Sequence, residues 1–360
     1  MSNTMQANGN EKTQVQPRLV VTAEAEDGAF DQLTLDHWKE EGFDVTYLPF
    51  SGKSSKETLK KAMQDVANEL EDGQEFAIIA FGKPASAALA LVSEPIHKLC
   101  ALVVYYSDTA PTPETKLHSG LEVLVHLARA PNATVGLRHY VYPEVEVGFA
   151  EAHRPTYDKV AAGTAWSRTL ATLRKAFRIE VDLERIWENH LALEFVTKDA
   201  DATMSTMVDE PYVNHIPTMT GGIGYKDLHR FYRDYFIPGN PPSLKIKLLS
   251  RTVGTDRVVD EMHMSFKHTQ VIPWLLPDVE ATNKDVEVAG VVIVCIRGGK
   301  LYHEHIYWDQ ASVLVQIGLL DPKLVPHRTS TARLPVVDGA SARKVMDESS
   351  VRSNELISTW

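Results

Sequence analysis

The sequence has 360 residues, of which 44% are hydrophobic and 24% are charged; this composition is typical of a folded globular protein and excludes disorder throughout. The net charge of −11 and the lack of a basic patch argue against binding to a phosphate backbone, so we expect no nucleic-acid partner. No apolar run reaches the roughly 20 residues that a membrane-spanning helix needs, so we expect no membrane partner either.

The cysteines and the N-terminal segment indicate the compartment. Cys100 and Cys295 lie in apolar, strand-like runs, and two cysteines in a chain of this length do not form a disulfide framework. The first 17 residues are polar and lack the apolar stretch of a signal peptide. We therefore predict a disordered tail over residues 1–17 and a cytoplasmic location.

Between residues 18 and 180, short apolar strands alternate with helices. The predicted strands are Arg18–Thr22, Val45–Pro49, Phe76–Phe81, Leu99–Tyr105, Leu121–Leu127 and Val135–Tyr142. The predicted helices cover residues 33–41, Ser55–Leu70, Ala85–Leu91 and Pro155–Phe177. Continuous apolar strands separated by helices are typical of a parallel sheet covered on both faces, so this part is predicted to be an α/β domain.

The segment Phe76–Leu91 has the strand, sharp turn and helix of a nucleophile elbow. In the run Gly82-Lys83-Pro84-Ala85-Ser86, Pro84 occupies the centre, where hydrolases keep their nucleophile. Proline has no nucleophilic group. Ser86 lies two residues from the centre.

Residues His139–Phe177, which begin HYVYPEVEVGFAEAHRPTYD, resemble the C-terminal segment of the dienelactone hydrolase family. The resemblance implies a parallel α/β-hydrolase-like domain over residues 18–180. The catalytic histidine of the family falls on Val147, and the segment after Leu121–Leu127 has no acid where the family keeps its acidic residue. Since all three triad positions depart from the pattern, the resemblance implies a catalytically inactive scaffold.

After residue 180 the pattern changes to helices followed by long strands. The predicted helices are Leu183–Val196, Ala202–Met207 and Tyr225–Phe236, and the predicted strands are Ser243–Val253, Arg257–Lys267, Asp285–Arg297 and Lys300–Tyr307. Gly298-Gly299 predicts a two-residue hairpin turn. This order indicates an α+β domain with an antiparallel meander over residues 181–322, followed by an extension at 323–360 that could wrap a partner subunit.

Alternation along two strands gives the candidate pocket residues. A period of two places Leu301, His303, His305, Tyr307 and Asp309 on one face of the last strand and Tyr302, Glu304, Ile306 and Trp308 on the other. Glu261 and His263 alternate in the same way with Met262 and Met264. Titratable residues between aromatic ones suit a cavity with acid–base chemistry, although a solvated outer face would show the same alternation. The candidate pocket residues are His305, Glu304, Glu261, His263, Tyr307 and Trp308.

Three segments, YVNHIPTMTGGIGYKDLHRFYRDYF, VVDEMHMSFKHT and HEHIYWDQASVLVQIGLLDP, resemble the SnoaL-like polyketide cyclases of the nuclear-transport-factor-2-like superfamily. The most specific pieces are Asn214-His215-x-Pro and the run W-D-x6-Q-x-G that begins at Trp308. The resemblance implies a cone-shaped antiparallel sheet wrapped by helices, a deep pocket and a homodimer. It also implies cofactor-free acid–base chemistry on a carbonyl-containing small molecule. Asp309 falls where the cyclases keep their acid–base carboxylate, and His215 and His268 fall on polar pocket positions.

Some of these residues also have structural interpretations. Asp309 directly precedes an apolar helix, which is the position of an N-cap. His215 lies in a predicted loop, where a hydrogen-bonded histidine is common. His303 and His305 form a possible metal pair on one strand face, but most such pairs bind no ion. We predict no metal and no cofactor.

The sequence therefore predicts a cyclase, isomerase or dehydratase of the SnoaL-like type. In this hypothesis Asp309 removes a proton from the carbon next to a carbonyl, and His215 or His268 polarises the carbonyl oxygen. A non-catalytic ligand-binding or dimerisation protein is the alternative, and an apolar pocket with Asp309 bonded to helix N–H groups would indicate it. A second alternative is an ester or lactone hydrolase with an atypical nucleophile, such as Ser86 or Cys100.

Overall fold

The computed structural model describes residues 16–24, 30–51, 54–107, 117–129, 136–325 and 333–360. The chain forms two compact units, residues 1–181 and 182–360, which are described separately below. The tail expected at residues 1–17 lies outside the described residues except for its last two. Within the described ranges, no helix combines the length and the apolarity needed to cross a membrane.

The first unit is built on a six-stranded parallel sheet with the order β2-β1-β3-β4-β5-β6. Its strands are β1 (Arg18–Glu24), β2 (Asp44–Phe50), β3 (Phe76–Phe81), β4 (Leu99–Tyr105), β5 (Glu122–Leu127) and β6 (His139–Val141). Its helices are α1 (Gln32–Glu40), α2 (Lys56–Glu69), α3 (Lys83–Leu91) and α4 (Lys159–Phe177). Buried residues of α1 and α4 pack on one face of the sheet and those of α2 and α3 on the other, so the predicted α/β architecture is confirmed.

The sharp turn between β3 and α3 is centred on Gly82. Gly82 has φ 72° and ψ −131°, a conformation that side-chain-bearing residues rarely adopt. Pro84 is buried in the first turn of α3, so the centre of the turn lies two residues before the predicted one. Val147, where the resemblance places a catalytic histidine, is 59% exposed. Most of the segment examined for an acid after β5, residues 130–135, lies outside the described residues.

The second unit is built on a six-stranded sheet with the order β8-β7-β12-β11-β10-β9. Its strands are β7 (Met207–His215), β8 (Thr220–Ile223), β9 (Lys245–Val253), β10 (Arg257–Lys267), β11 (Asp285–Arg297) and β12 (Lys300–Trp308). Its α-helices are α5 (Leu183–Ala192), α6 (Ala200–Ser205), α7 (Gly224–Phe231), α8 (Ile237–Gly239), α9 (Gln310–Ile317) and α10 (Ala340–Met346). Two π-helical turns, Leu193–Thr197 and Tyr232–Phe236, extend α5 and α7.

The predicted antiparallel meander covers only part of this sheet. β9 to β12 are antiparallel neighbours, as predicted, but β7 pairs with β12 in parallel. Residues Met207–His215 were not predicted as a strand, and His215, expected in a loop, is the last residue of β7. This parallel pairing brings His215 next to Ile306, in the middle of the sheet.

Two bulges decide which side chains face the inside of the sheet. The register between β11 and β12 shifts at Tyr302, since Leu301 pairs with Ile296 and His303 with Cys295. A bulge reverses the alternation of faces, so Leu301 and Glu304 are both buried although they were predicted on opposite faces. A second shift at Leu249 of β9 places Arg251 opposite Asp260.

Candidate functional site

The concave side of the second unit's sheet encloses a cavity of about 750 Å³. α5, the two π-helical turns and the segment Asn240–Pro242 complete its wall. Most of the lining is apolar, including Leu191, Phe195, Phe236, Met262, Met264, Trp274 and Ile306. An apolar cavity of this size with a few convergent polar groups is the usual form of a small-molecule site.

Four polar side chains meet at this cavity, and we call them the carboxylate cluster: His190, Glu194, Tyr232 and Glu304. The Nε2 atom of His190 lies 3.1 Å from Oε1 of Glu194 and 3.3 Å from Oε1 of Glu304. The Tyr232 hydroxyl hydrogen-bonds with both carboxyl groups. All four residues are buried, and Glu194, Tyr232 and Glu304 line the cavity.

The helical geometry explains how the cluster forms. Leu183, Trp187 and His190 follow the apolar stripe of α5, so His190 points into the core with its apolar neighbours. Glu194 is four residues further on and sits in the first π-helical turn. Tyr232 begins the second π-helical turn. π-turns of this kind often occur at functional sites, and here they carry two of the four cluster residues.

The hydrogen bonds of Thr206 fix the tautomer of His190. The Thr206 hydroxyl donates to the carbonyl oxygen of Thr203 at 2.6 Å, and Nδ1 of His190 lies 2.6 Å from the same hydroxyl. Because the single proton of the hydroxyl is used on Thr203, Nδ1 of His190 must be the donor. Nε2 therefore faces the two carboxyl groups, either as a second N–H or as a lone pair.

The cluster shifts the pKa of His190, of Glu304 and of Tyr232. Burial lowers the pKa of His190, but the negative charges of Glu194 and Glu304 outweigh it and raise that pKa to about 10. Burial raises the pKa of Glu304 above its usual value, and the nearby Glu194 charge acts in the same direction. Burial also raises the pKa of Tyr232. The cluster therefore consists of an imidazolium, a carboxylate and a carboxyl group that readily holds a proton.

His215 lines the same cavity as a neutral histidine. Burial lowers its pKa to about 4, and its ring is surrounded by Phe231, Phe236, Trp274 and Trp308. Nδ1 lies 3.2 Å from the carbonyl oxygen of Thr220 and must donate to it. Nε2 is then a hydrogen-bond acceptor. In this tautomer the ring can accept a hydrogen bond from a hydroxyl group.

A buried ion pair closes another part of the wall. The Asp260 carboxylate accepts two hydrogen bonds from Arg251, at 2.7 and 2.9 Å, and one from the indole N–H of Trp187 at 2.8 Å. Arg251 also donates to Glu184 and Glu188. With every oxygen of Asp260 engaged, this carboxylate has a structural role: it orients Trp187, the residue that packs against His190.

Asp309, the expected acid–base residue, is a helix cap. Its carboxylate is exposed and accepts a hydrogen bond of 3.0 Å from the backbone N–H of Ala311, at the start of α9. It is not among the residues that line the cavity. The bulge in β12 and the end of the strand at Trp308 place Asp309 beyond the sheet, so the structure does not bring it to His215 or His268.

The other predicted residues of β10 also lie outside the cavity. His268 is buried and its Nδ1 atom lies 3.0 Å from the hydroxyl of Thr282, away from the cavity. Burial lowers its pKa. Glu261 accepts a bond from Ser250, and His263 is buried 4.0 Å from Glu287. Both point to the face opposite Met262 and Met264, so the alternation was read correctly but the cavity is on the apolar side.

On β12 the structure separates the candidates by face. Glu304 lines the cavity, and Trp308 packs against His215. His305 stacks on His303 with ring centroids 4.8 Å apart, on the opposite face of the strand. Tyr307, on that same face, is 40% exposed. Of the nine predicted site residues, Glu304 and His215 line the cavity, and Trp308 packs against His215.

The sequence also held a signal for the residues that were missed. His190 and Glu194 continue the spacing of Leu183 and Trp187 along the buried stripe of the first helix. A histidine and a glutamate on an apolar stripe are unusual, because a buried charge is costly unless it is paired. Together with Glu304 they offer three ligand atoms within 4.8 Å of one another.

Comparisons with known proteins agree with this architecture. Residues 187–304 match the family model of the SnoaL-like domain, and no curated protein matches the chain. TsrD from Streptomyces laurentii is 18% identical to this chain. The match covers 39% of this chain and 100% of TsrD, with a TM-score of 0.32. A protein described as a SnoaL-like polyketide cyclase from Jannaschia sp. CCS1 is 17% identical, with 38% of this chain and 94% of that chain covered and a TM-score of 0.31.

A third structure, a protein with a ketosteroid isomerase-like fold from Catenulispora acidiphila DSM 44928, is 15% identical. It covers 39% of this chain and 97% of its own, with a TM-score of 0.29. The family match and the sheet with its cavity together define the class: the second unit contains a SnoaL-like domain at residues 187–304. The predicted resemblance to that class is confirmed for this part of the chain.

Proposed function

We propose that the second unit is an acid–base enzyme of the SnoaL-like type that acts on a carbonyl-containing small molecule, with Glu304 as the group that transfers the proton. The observation that carries this proposal is the position of Oε1 of Glu304. This atom is buried at the cavity wall, and although Nε2 of His190 lies 3.3 Å away, the geometry makes no hydrogen bond to it among the described residues. A carboxyl group with a free lone pair and a raised pKa is suited to proton transfer near neutral pH.

The proposed step transfers a proton from carbon to oxygen. The Glu304 carboxylate takes the proton from the carbon next to the carbonyl, and the electron pair of the C–H bond moves to the carbonyl oxygen to give an enolate. Return of the proton to another carbon completes an isomerisation, and attack of the enolate carbon on a second carbonyl closes a ring. The apolar wall excludes water, which keeps the carboxylate reactive.

Neighbouring residues have separate roles in this proposal. The His190–Glu194 ion pair and the Tyr232 hydroxyl position Glu304. The Asn240 side chain lines the cavity, and its oxygen accepts the indole N–H of Trp274 at 2.9 Å. Its NH₂ group is then the donor for the developing enolate oxygen. His215 accepts a hydrogen bond from a substrate hydroxyl, because only its Nε2 lone pair is available.

A probe that needs only a base in an apolar cavity tests the proposal before the substrate is known. In 5-nitrobenzisoxazole, removal of one ring proton breaks the N–O bond and releases a coloured phenolate. We expect the chelator-treated full chain to catalyse this reaction and Glu304→Gln to lower kcat/KM by roughly 100-fold or more, the usual contribution of a general base. The matched control is Asp309→Asn, which removes a carboxylate outside the cavity and retains a capping side chain.

Two results would contradict the proposal. One is a rate no higher than that of free acetate at equal concentration, and the other is an equal loss in Glu304→Gln and Asp309→Asn. Saturable binding of an apolar ligand in the cavity with no elimination would favour the ligand-binding alternative.

We propose further that the first unit does not hydrolyse esters or lactones. Gly82 occupies the centre of its sharp turn, and burial raises the pKa of Cys100 to about 12, so that thiol stays protonated. Treatment of the full chain with a fluorophosphonate and with iodoacetamide should label neither Ser86 nor Cys100 under native conditions. Covalent labelling of either residue, with loss of an esterase activity, would overturn this view.

A further inference from the structure

The carboxylate cluster has the donor set and the geometry of a metal site. His190 Nε2 and one oxygen each of Glu194 and Glu304 lie within 4.8 Å of one another, and Nε2 is 3.1 and 3.3 Å from the two oxygens. Zn–N and Zn–O bonds of about 2.0–2.2 Å place neighbouring donors of a tetrahedron roughly 3.3–3.5 Å apart. The two distances from His190 are therefore close to those between neighbouring ligands of one ion, and the two carboxyl oxygens lie within 4.8 Å of each other.

An unsatisfied lone pair points to a ligand that is still missing from this set. Glu304 is 4% exposed, and its Oε1 atom has no hydrogen-bond partner among the residues that the structure describes. Buried carboxylate oxygens nearly always have a partner, because leaving one unpaired costs about 1–3 kcal/mol or more. An ion between Glu304 and His190 would supply that partner.

The far side of the His190 ring is arranged as it is in metal sites. Its Nδ1–H donates to the Thr206 hydroxyl at 2.6 Å, which in turn donates to the carbonyl oxygen of Thr203 at 2.6 Å. A histidine that binds a metal almost always donates its other N–H in this way, and the bond fixes the ring and directs its lone pair at the ion. Here that lone pair would point between the two carboxyl groups.

The cavity leaves one side of the cluster open. Glu194 and Glu304 both line the cavity, so an ion held by three protein donors would have a position left for water or for an oxygen atom of a substrate. Three protein ligands and one open position are the arrangement of a catalytic zinc site.

The donor types indicate which ions would bind. One imidazole and two carboxylates suit Zn²⁺, Mn²⁺ or Fe²⁺, whereas Mg²⁺ and Ca²⁺ prefer oxygen ligands alone. Two carboxylates balance the double positive charge of such an ion. Without the ion, the single imidazolium balances only one of the two negative charges. The stacked pair His303 and His305 lies on the opposite face of the sheet and does not belong to this three-residue group.

We propose that His190, Glu194 and Glu304 bind a divalent transition-metal ion of the Zn²⁺ type at the wall of the cavity. The inference stands on the coordinates and does not require the proposed proton transfer. The metal site has one consequence for the proposed proton transfer. Because the ion takes the lone pair of Glu304, metal binding and proton abstraction by Glu304 exclude each other.

The test uses the full chain after dialysis against a chelator. We expect Co²⁺ to bind with one equivalent and to give the visible absorption of a four- or five-coordinate ion, and Zn²⁺ to displace it. Removing a ligand should cost more than the roughly 10–100-fold that removal of an outer hydrogen-bond partner costs. Glu194→Gln and Glu304→Gln should thus weaken binding by at least about 100-fold, and Thr206→Val by roughly 10–100-fold.

His303→Asn combined with His305→Asn is the matched control, because it removes the only stacked histidine pair on β12 and leaves the cluster intact. Loss of Co²⁺ binding in this control, or binding unchanged in both glutamine variants, would overturn the proposal. So would the lack of any stoichiometric binding.

X-ray absorption of the Zn²⁺-loaded wild type tests the site without a variant that could misfold. One nitrogen and two or three oxygens at about 2.0 Å are expected around the ion. A shell with two or more histidines would contradict the site.

Failure of the metal site and failure of the proposed function are distinguishable. Elimination by the chelator-treated protein without any Co²⁺ binding would leave the proposed function standing and remove the metal site. Co²⁺ binding without elimination would do the reverse. If both hold, Zn²⁺ should inhibit the elimination with a midpoint equal to its measured Kd.

Discussion

The raised pKa of His190 gives the sharpest prediction, and Glu194→Gln is the change that tests it. Where burial acts without a carboxylate, the pKa of a histidine in this chain falls, to about 3 for His126 and about 4 for His215. His190 is equally buried but has a pKa of about 10. The two carboxyl groups therefore raise its pKa against the effect of burial, and Glu194 is the larger contributor.

Removal of the Glu194 charge should then lower the pKa of His190, because it takes away the largest interaction that raises it. The sign of the effect on stability follows from the direction of the shift. Since the folded pKa lies above the unfolded value of 6.5, the stability due to this proton is fully present below pH 6.5 and is lost as the pH rises through 10. The free energy of unfolding of the second unit should fall by about 1.4 kcal/mol per pH unit over that window, and by far less in Glu194→Gln.

Two measurements on the full chain check this. NMR of the histidine rings gives the titration midpoint of His190, and hydrogen exchange of peptides from residues 183–205 gives the local unfolding free energy between pH 7 and 9.5. Glu188→Gln is the matched control, since Glu188 lies on the same helix but is exposed and bonds Arg251. A wild-type midpoint near 6.5, or an equal shift in both variants, would refute the reasoning.

Three further changes have expected outcomes that thermal or urea unfolding of the full chain can check. Asp309→Ala should destabilise α9 by about 1 kcal/mol through loss of its cap, while the elimination of 5-nitrobenzisoxazole continues unchanged; a loss of activity without a loss of stability would contradict the capping role. Gly221→Ala should cost more than Gly318→Ala: both have positive φ, but a Cβ at position 221 would lie 2.2 Å from a backbone oxygen and one at 318 has open space. Thr206→Val should cost about 1–3 kcal/mol, because it leaves the His190 Nδ1–H buried without an acceptor; equal stability of variant and wild type would show that the bond is unimportant.

The strands of the first unit could be predicted from the sequence because they are buried on both faces and are therefore continuously apolar. Phe76–Phe81 and Leu99–Tyr105 are continuous apolar runs, and their predicted bounds match those of β3 and β4. A period of 3.6 residues and the Ser55 cap likewise defined α2. The sharp turn was predicted at Pro84 from the spacing of the motif, whereas the backbone turns at Gly82. The glycine itself was the sequence signal for this turn, because the turn requires a positive φ.

The second unit shows where local patterns fail. β7 contains Asp209, Glu210 and Pro211, which are residues that strands usually avoid. Its pairing with β12 connects segments that are far apart in the chain, and no local signal reports such a pairing. The bulge at Tyr302 changes the face of every residue before it, so a strict period of two gave Leu301 the wrong side. Only Glu304 to Trp308 were assigned to the correct face.

The choice between Asp309 and Glu304 as the reactive carboxyl group is decided by solvation. Asp309 is exposed and accepts a hydrogen bond from the start of a helix, so its carboxylate is accounted for as a helix cap. Glu304 is shielded from water and lies beside a second carboxyl group, so protonation or a bound cation relieves its burial. Both interpretations of the carboxylate cluster, as a proton-transfer group and as a metal site, follow from this same unbalanced negative charge. In the two proposals, what fills the place between His190 and Glu304 determines whether the cavity would support base or Lewis-acid chemistry.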